Sequence, residues 1–319
     1  NAGNSGTLAR LILGLLSNSN KSVIIKGDKS LSKRDFSRII KPLNIFGVKV
    51  KSNKNKLPVI LKGTNCLRPI YFEEKKGSAQ VKSCIMMASL NTPGTTEIKC
   101  VNSRDHTERL FNYLKIPIVI KKLSKTHKLI KIQGKNQYNA FNYNIPGDIS
   151  SAAFFLVLTA LSKNSKIIIK NVNINKTRTG IIDILKKMNV NIRIRNNKLV
   201  NNELVGDIYV KSGNYLKAIN CNSEINSRAI DEFPLIFLLC AKAKGISFFK
   251  KIGELRHKES DRLKVCSNFL KSIGVKTIEG KDSLKIYGNP NLKIEKKINI
   301  KNFMQDHRIF MMSCIAALT

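Results

Sequence analysis

The sequence is poor in acidic residues and in histidine, and it contains no tryptophan. Its 319 residues hold 57 Lys and Arg against 21 Asp and Glu, which gives a formal net charge of +36, and only four His. The seven cysteines are widely scattered and form no CxxC pair, so neither a zinc site nor a disulfide framework is indicated. We therefore expect buried free thiols in a reducing compartment, and hence a cytoplasmic protein.

Several segments that would indicate other protein classes are also missing. No apolar run approaches the roughly 20 residues of a membrane span, and the start does not resemble a signal peptide. There is no GxGxxG, no GK[ST] phosphate loop and no aromatic RNA-binding platform, which disfavours nucleotide and RNA binding. The basic charge then has three explanations, in this order: a compositionally biased genome, an anionic substrate, and nucleic-acid binding.

A helix-strand-helix-strand-strand pattern recurs along the chain. The first helix of each round starts 70 to 84 residues after the previous one, at Gly3, Gly77, Gly147, Asp231 and Asp306. The second helix follows 26 to 30 residues later, with predicted starts at Ser30, Ser103, Thr177 and Lys258. The first helices are apolar nearly all round and should be central, whereas the second are amphipathic. The pattern predicts an α/β (α+β) fold of repeated subdomains.

The length and the repeat together predict two domains. The Asn144 to Gly147 segment, which contains Pro146, is the candidate boundary. We expect one domain over residues 1–145, with an incomplete first repeat, and a second over 146–319. The sequence starts with Asn1 rather than Met and stops within an apolar helix pattern at Thr319, so we expect both ends to be truncated.

The stretch from Asp231 to Leu263 is the richest in candidate chemistry. Asp231 and Glu232 precede a very apolar helix, where carboxylates are favoured by the helix dipole, and capping alone would explain either acid. Lys258 and Glu259 are harder to explain structurally, because an ammonium beside a carboxylate can hold an anionic substrate while the acid moves a proton.

Arginine is scarce relative to lysine, yet it recurs at helix starts. Such guanidiniums could hold phosphate or carboxylate groups bidentately, or act singly in surface ion pairs; they are Arg10, Arg34, Arg104, Arg262 and Arg308. Ser78 and Gln80 could donate to a ligand, or Ser78 could only cap its helix. Asp105 and Glu108 have a capping-box spacing, which predicts a structural role.

Ordered motifs along nearly the whole chain resemble the 5-enolpyruvylshikimate-3-phosphate synthase family. They are GNSGTLAR at 3–10, GSAQVKS at 77–83, SRDHTER at 103–109, GDISSAAFF at 147–155, IDEFP at 230–234, LRHKESDRL at 255–263 and DHR at 306–308. The resemblance implies two domains of repeated βαβαββ units. It implies transfer of the enolpyruvyl group of phosphoenolpyruvate to the 5-hydroxyl of shikimate 3-phosphate, with release of phosphate. Small-molecule substrates, no metal or organic cofactor and a monomer are expected.

The resemblance also implies roles for residues at the matching positions. The shikimate 3-phosphate site would comprise Ser78, Ala79, Gln80, Arg104, Asp231 and Lys258, which makes 1–145 a substrate-binding domain. The phosphoenolpyruvate site would comprise Asn4, Gly6, Thr7, Arg34, Gln80, Arg262 and Arg308. Asp231 would accept the 5-hydroxyl proton, Glu259 would protonate the methylene carbon, and Lys258 would stabilise the developing negative charge.

The sequence departs from the family pattern in two respects. Asp35 follows Arg34 where the family often has proline. The family's lysine-bearing N-terminal and C-terminal segments, which contribute to the phosphoenolpyruvate site, have no counterpart in this sequence. The resemblance therefore allows a chain that binds ligand without turnover.

Three alternatives stay open at this stage. The sister enolpyruvyl transferase that acts on UDP-N-acetylglucosamine shares the fold and would need a reactive loop cysteine, for which Cys66 is the candidate. A basic nucleic-acid-binding protein and a noncatalytic fragment are the others.

Overall fold

We describe a computed structural model in which residues 1–213, 215–221, 223–294, 299 and 306–319 are defined. The chain divides into two compact units, Asn1–Tyr143 and Asn144–Thr319. Each unit combines helices with two separate sheets, and each is described by itself below.

The first unit contains four α-helices: α1 (Gly6–Leu15), α2 (Ser37–Ile45), α3 (Ala79–Ser89) and α4 (His106–Tyr113). Its seven strands are β1 (Ser22–Ile25), β2 (Lys49–Asn53), β3 (Lys56–Lys62), β4 (Tyr71–Glu74), β5 (Thr95–Val101), β6 (Ile118–Lys122) and β7 (His127–Gln133). One sheet has the order β1-β3-β2 and the other β4-β5-β7-β6, with β4 and β5 parallel.

The second unit repeats this plan. Its described helices are α5 (Ile149–Leu161), α6 (Gly180–Lys187), α7 (Ser223–Arg228), α8 (Phe233–Ala241), α9 (Arg262–Ser272) and α10 (His307–Leu318). Its described strands are β8 (Lys166–Asn173), β9 (Asn191–Val200), β10 (Glu203–Lys211), β11 (Asn220–Cys221), β12 (Gly245–Phe249), β13 (Thr277–Glu279) and β14 (Leu284–Gly288). The sheet orders are β8-β10-β9 and β11-β12-β14-β13.

The first helices differ in how far they are buried. Every residue of α8 is buried and α5 exposes few of its side chains, as their composition predicts. The prediction is wrong for α1, which buries only Gly6, Ala9, Leu13 and Gly14 and exposes Leu8 and Leu15. The strands show the complementary pattern, because β3 buries every second residue over its whole length. Helices α5 and α8 therefore lie in the core of the second unit.

Helices α1 and α3 approach each other very closely. A Cβ built on Gly14 would lie 2.2 Å from the Cys84 carbonyl oxygen, so only glycine permits this backbone contact. Ser5 caps α1 and Ser78 caps α3 with their hydroxyl oxygens. The contact fixes the starts of these two helices, which carry several candidate site residues, relative to each other.

The second helices begin later than the sequence predicts. The second helix predicted to start at Ser30 is a 3₁₀ turn at Leu31–Lys33 followed by α2, and Asp35 between them accepts from the backbone N–H of Ser37 at 2.9 Å. The other starts move from Ser103, Thr177 and Lys258 to His106, Gly180 and Arg262. Turn residues precede α6, and a 3₁₀ helix at Gly253–His257 lies between β12 and α9. β4, β11 and α7 were not predicted at all.

No helix in the described ranges combines the length and the apolar character that a bilayer crossing requires.

Candidate functional site

In the first unit, predicted ligand residues surround the start of α1. Asn4 donates to the Asp28 carboxylate at 2.5 Å, and Asp28 also accepts from the backbone N–H of Leu31 at 2.7 Å. These two hydrogen bonds, the backbone one foremost, hold the pKa of Asp28 below its usual range. Asp28 therefore fixes Asn4 beside the exposed Thr7 at the α1 N-terminus.

Two arginines reach the same helix start. A Cβ on Gly6 would lie 2.9 Å from Nη1 of Arg10 and 3.1 Å from Nη1 of Arg34. Arg10 also lies over the Phe36 ring, 5.0 Å from its centroid. Glycine at position 6 is thus what allows two guanidiniums and the free backbone amides of α1 to meet, an arrangement suited to an anion.

The start of α3 presents Ser78, Ala79 and Gln80, all half-buried. The Ser78 hydroxyl accepts from the backbone N–H of Val81 at 3.4 Å, so it does cap the helix, with a long hydrogen bond. The Gln80 amide is held at both ends: its Oε1 accepts from Arg10 Nη1 at 2.8 Å, and its Nε2 donates to Thr7 Oγ1 at 2.9 Å. Gln80 therefore joins the α1 and α3 starts into one polar surface.

Arg104 lies in the loop before α4. Its backbone carbonyl accepts from Lys82 Nζ at 2.6 Å. The capping box expected for this motif does not form, because Asp105 makes no side-chain capping hydrogen bond, but both acids have the structural role that was predicted: Glu108 is buried beside two lysines. Asp105 instead accepts from Arg109 Nε at 3.0 Å.

In the second unit, the structure brings Asp231, Lys258 and Arg262 together. Asp231 Oδ1 lies 3.4 Å from Lys258 Nζ and 3.5 Å from Arg262 Nη1. Asp231 stands two residues ahead of α8, and the N-cap residue Glu232 makes no capping hydrogen bond. Glu232 therefore does not cap α8 with its side chain. The Asp231 carboxylate faces two cations.

Glu232 has a different environment from its neighbour. It is buried and accepts from the Ser150 hydroxyl, and Ser150 accepts in turn from Arg178 Nη2 at 2.7 Å. Arg178 also donates to Asp148 at 2.8 Å. This chain of contacts ties the turn that carries Asp231 to the start of α5.

Arg262 lies at the centre of a buried charge cluster, with 1% of its surface exposed. Its guanidinium donates to Asp306 Oδ2 at 2.8 Å through Nε, to Asp306 Oδ1 at 3.3 Å through Nη2, and to Glu259. Burial opposes the charge of Arg262, but the hydrogen bonds and attraction of Asp306 outweigh it and raise the pKa. For Asp306, burial likewise opposes ionisation, yet Arg262 holds the pKa below its ordinary value.

Asp306 also organises the start of α10. Its Oδ1 accepts from the backbone N–H of Arg308 at 3.0 Å, and its Oδ2 accepts from the Ser260 hydroxyl at 3.0 Å. Arg308 therefore stands in the first turn of α10, half-buried. The loop that carries Lys258 and Glu259 is attached at Ser260 to the same carboxylate that positions Arg308.

Several residues in these clusters were not assigned to the site from the sequence, among them Arg10, Asp306 and Lys82. Arg10 holds Gln80, Asp306 holds Arg262, and Lys82 holds the Arg104 loop. Arg10 and Asp306 were noted only as an arginine at a helix start and as a repeat start. The signal for Lys82 was weak, because a lysine between Val81 and Ser83 is ordinary in so basic a chain.

Metal-type clusters are absent from the ranges that the structure describes, where no three His, Cys, Asp or Glu side chains converge as ligands. Cys66 and Cys314 are exposed. The other cysteines are buried and free: Cys84, Cys100, Cys221, Cys240 and Cys266. The expectation that no cofactor is needed stays a prediction.

Comparison with known proteins gives a consistent result. The family model described as EPSP synthase (3-phosphoshikimate 1-carboxyvinyltransferase) matches residues 1–319. A 3-phosphoshikimate 1-carboxyvinyltransferase from Clostridium tetani is 40% identical over 317 residues, which are 99% of this chain and 70% of the relative. Another of that name, from Ruthia magnifica, is 41% identical over 321 residues, with 99% and 71% covered.

Solved structures agree with the family match. An EPSP synthase from Acinetobacter baumannii is 35% identical, with a TM-score of 0.82 over 99% of this chain and 71% of that one. The enolpyruvyl transferase NikO from Streptomyces tendae is 15% identical, with a TM-score of 0.70 over 97% and 68%, and shows the shared fold alone.

Proposed function

This chain belongs to the EPSP synthase family, and from that premise we propose that it transfers the enolpyruvyl group of phosphoenolpyruvate to the 5-hydroxyl of shikimate 3-phosphate. Phosphate is released. The observation that carries the proposal is the family match over residues 1–319. The product serves aromatic amino-acid biosynthesis through the shikimate pathway.

Shikimate 3-phosphate is assigned to the polar surface at the start of α3. Ser78 and Gln80 supply neutral donors, Ala79 contributes backbone, and Arg104 supplies the cation for phosphate. The link of Gln80 to Arg10 and Thr7 supports this role, because an amide held at both ends is oriented before the ligand arrives. Asp231 and Lys258 act on the hydroxyl end of the same substrate.

Phosphoenolpyruvate, with its phosphate and carboxylate, requires several cations. Arg34 meets the α1 N-terminus at Gly6, beside Asn4 and Thr7, which supports an anion role for these four residues. Gln80, Arg262 and Arg308 complete the assigned set. The Arg262 guanidinium already contacts Glu259 and Asp231, so a ligand carboxylate would share it with these two acids.

The first chemical step is an addition. Asp231 accepts the proton of the 5-hydroxyl, and Glu259 gives a proton to the methylene carbon of phosphoenolpyruvate. The hydroxyl oxygen forms a bond to the adjacent carbon, which becomes tetrahedral and carries both the ether oxygen and the phosphate. Lys258, 3.4 Å from Asp231 Oδ1, stabilises negative charge that develops during the transfer.

The second step is an elimination. A proton leaves the new methyl group, the double bond reforms, and the bond to phosphate oxygen breaks. Glu259 recovers its proton and Asp231 returns its own to the departing phosphate, so both groups end as they began.

The alternatives are weaker on specific grounds. The UDP-N-acetylglucosamine reaction is not favoured, because the curated relatives and the 35% identical structure carry the EPSP synthase name. Nucleic-acid binding does not account for arginines engaged with Gln80 and Asp306 in specific contacts. We assign a monomer acting in the cytoplasm, and the buried free thiols support the reducing compartment.

The test is calorimetric titration of the chain with shikimate 3-phosphate at moderate salt, followed by measurement of phosphate release when phosphoenolpyruvate is added. UDP-N-acetylglucosamine is the control ligand. Saturable binding of shikimate 3-phosphate alone is expected. A folded sample that binds only the control ligand, or neither, contradicts the proposal.

A further inference from the structure

Among the described residues, the basic side chains that are buried are Arg262 and Lys82. Arg262 belongs to the cluster already assigned to chemistry, whereas Lys82 does not. Lys82 has 0% of its surface exposed and lies on α3, two residues beyond Gln80. Burying an ammonium is costly, so this position calls for an explanation.

The contacts of Lys82 cross from one element to another. Its Nζ donates to Glu108 Oε1 at 2.7 Å and to the backbone carbonyl of Arg104 at 2.6 Å. Glu108 lies on α4, is 2% exposed, and also accepts from Lys128 of β7 at 2.7 Å. Lys82 therefore joins α3 to the loop that carries Arg104, through one ion pair and one hydrogen bond.

A second contact runs parallel to the first. The hydroxyl oxygens of Ser83 on α3 and Thr107 on α4 lie 2.7 Å apart, and both residues are buried. Adjacent residues on α3 thus contact adjacent residues on α4. The starts of these helices carry Ser78, Gln80 and Arg104, which are the neutral donors and the cation assigned to one substrate.

Stability alone does not explain a buried ion pair. Desolvation of both charges cancels most of the Coulomb attraction, and apolar residues of similar volume are often as stabilising. Burial, only partly offset by Glu108, lowers the pKa of Lys82, which shows that its charge is held at a cost. What an apolar side chain could not do is donate to the Arg104 carbonyl.

We propose that Lys82 and Glu108 are positioning residues, which fix the backbone of Arg104 relative to Ser78 and Gln80 and so set the affinity for shikimate 3-phosphate. The inference rests on the proposed function. Lys82 does not touch the substrate; it determines where the Arg104 side chain starts, and Glu108 directs Lys82 to that carbonyl. A displacement of this loop separates the cation from the two neutral donors.

Lys82→Met is the primary variant, because methionine keeps length and leaves Glu108 paired with Lys128. We expect the calorimetric Kd for shikimate 3-phosphate to rise about tenfold or more, as small misplacements of binding groups can cost up to a hundredfold. Lys128→Met is the matched control. It removes the other lysine from the same Glu108 oxygen without touching the Arg104 loop, and its Kd should stay within about twofold of the unmodified chain.

The triple variant Lys82→Met/Glu108→Gln/Lys128→Met separates position from stability. It removes all three charges of the cluster, including the Lys128 ammonium that pairs with the same Glu108 oxygen, so its urea midpoint should recover toward that of the unmodified chain, whereas the Kd should stay as high as in Lys82→Met. Recovery of the affinity together with the stability overturns the inference. So does an unchanged Kd in Lys82→Met, an equal loss of affinity in Lys128→Met, or a triple variant that cannot be recovered folded. If the unmodified chain does not bind shikimate 3-phosphate, the proposed function fails instead.

Discussion

At the residue scale, the two carboxylates assigned to proton transfer differ in their partners. Asp231 faces Lys258 and Arg262 at 3.4 and 3.5 Å, whereas Glu259 accepts a hydrogen bond from Arg262 at much closer range. Under the proposed function, an anionic ligand at Arg262 competes with Glu259 for the same guanidinium.

Glu259→Gln tests the role of this acid. Glutamine keeps the size and one hydrogen bond to Arg262 but cannot exchange a proton, so both ligands should bind while turnover falls about a hundredfold or more. The measurement is calorimetric binding alongside steady-state phosphate release. Near-normal turnover would remove Glu259 from the proton path.

Asp306→Asn tests the buried cluster through its dependence on pH. The folded-state pKa of Asp306 is depressed by Arg262 against the effect of burial, so its contribution to stability is present above the unfolded pKa of about 3.9 and is lost as the pH falls through the folded value. At pH 6 the free energy of unfolding of the variant should be about 3 kcal/mol lower, because removing one partner of a buried ion pair leaves the other charge buried without compensation. The loss should shrink below about pH 4.

Urea unfolding between pH 6 and pH 3 measures this effect. Asp183→Asn is the control in the same unit: its pair with Arg228 is about a third exposed, so the change should cost about 1 kcal/mol or less. A difference between Asp306→Asn and the unmodified chain that grows as the pH falls would contradict the assignment.

At the element scale, the contact between α1 and α3 is the structural basis of the first cluster. It depends on Gly14 and brings Thr7 and Arg10 of one helix to Gln80 of the other. A larger side chain at position 14 must push the helices apart. The amide of Gln80 would then lose the geometry that fixes it at both ends.

Gly14→Ala should therefore destabilise the chain by about 1–3 kcal/mol through overpacking and weaken shikimate 3-phosphate binding with it. Leu15→Ala is the comparison, because Leu15 is the next residue and is 44% exposed. It should cost less than about 1 kcal/mol and leave binding unchanged. Thermal unfolding measures the change in stability, and calorimetric titration measures the change in affinity. A Gly14→Ala variant with unchanged stability and affinity would show that the helices can separate freely.

The elements differ in how far the sequence predicts them. The buried helices α5 and α8 are predicted well, because an almost continuous apolar composition leaves a helix no exposed face. The start of α9 is not, because polar residues from Lys258 to Ser260 can belong to a helix or to a loop, and the Asp261 cap decides between them only in three dimensions. The same loop carries two of the assigned catalytic residues.

The site itself divides in the same way. Residues within ordered motifs, such as Gln80 or Asp231, are candidates from their local sequence, and the resemblance gives them roles that stay predictions. The contacts that position them are not, because Lys82 to Arg104 and Arg262 to Asp306 join residues far apart in sequence. No local periodicity carries such information, and a buried lysine looks the same as an exposed one in a chain with 57 basic residues.

At the scale of the whole molecule, the net charge of +36 is the property that the proposed reaction explains least. Both substrates are anionic, yet a few arginines suffice to bind them. The salt dependence of binding distinguishes a charge that binds nucleic acid from one that binds a small anionic substrate. Nucleic-acid binding that involves 6–10 phosphates weakens about 10³- to 10⁵-fold between 50 and 200 mM salt, whereas a single small anion releases few counterions.

The measurement that tests the account most directly is calorimetric titration of the unmodified chain with shikimate 3-phosphate at 50 and 200 mM salt, with UDP-N-acetylglucosamine in parallel. The account predicts saturable binding of shikimate 3-phosphate alone, with a Kd that rises about tenfold at most over this range. No heat of binding from a demonstrably folded sample, or binding of UDP-N-acetylglucosamine in its place, would contradict it.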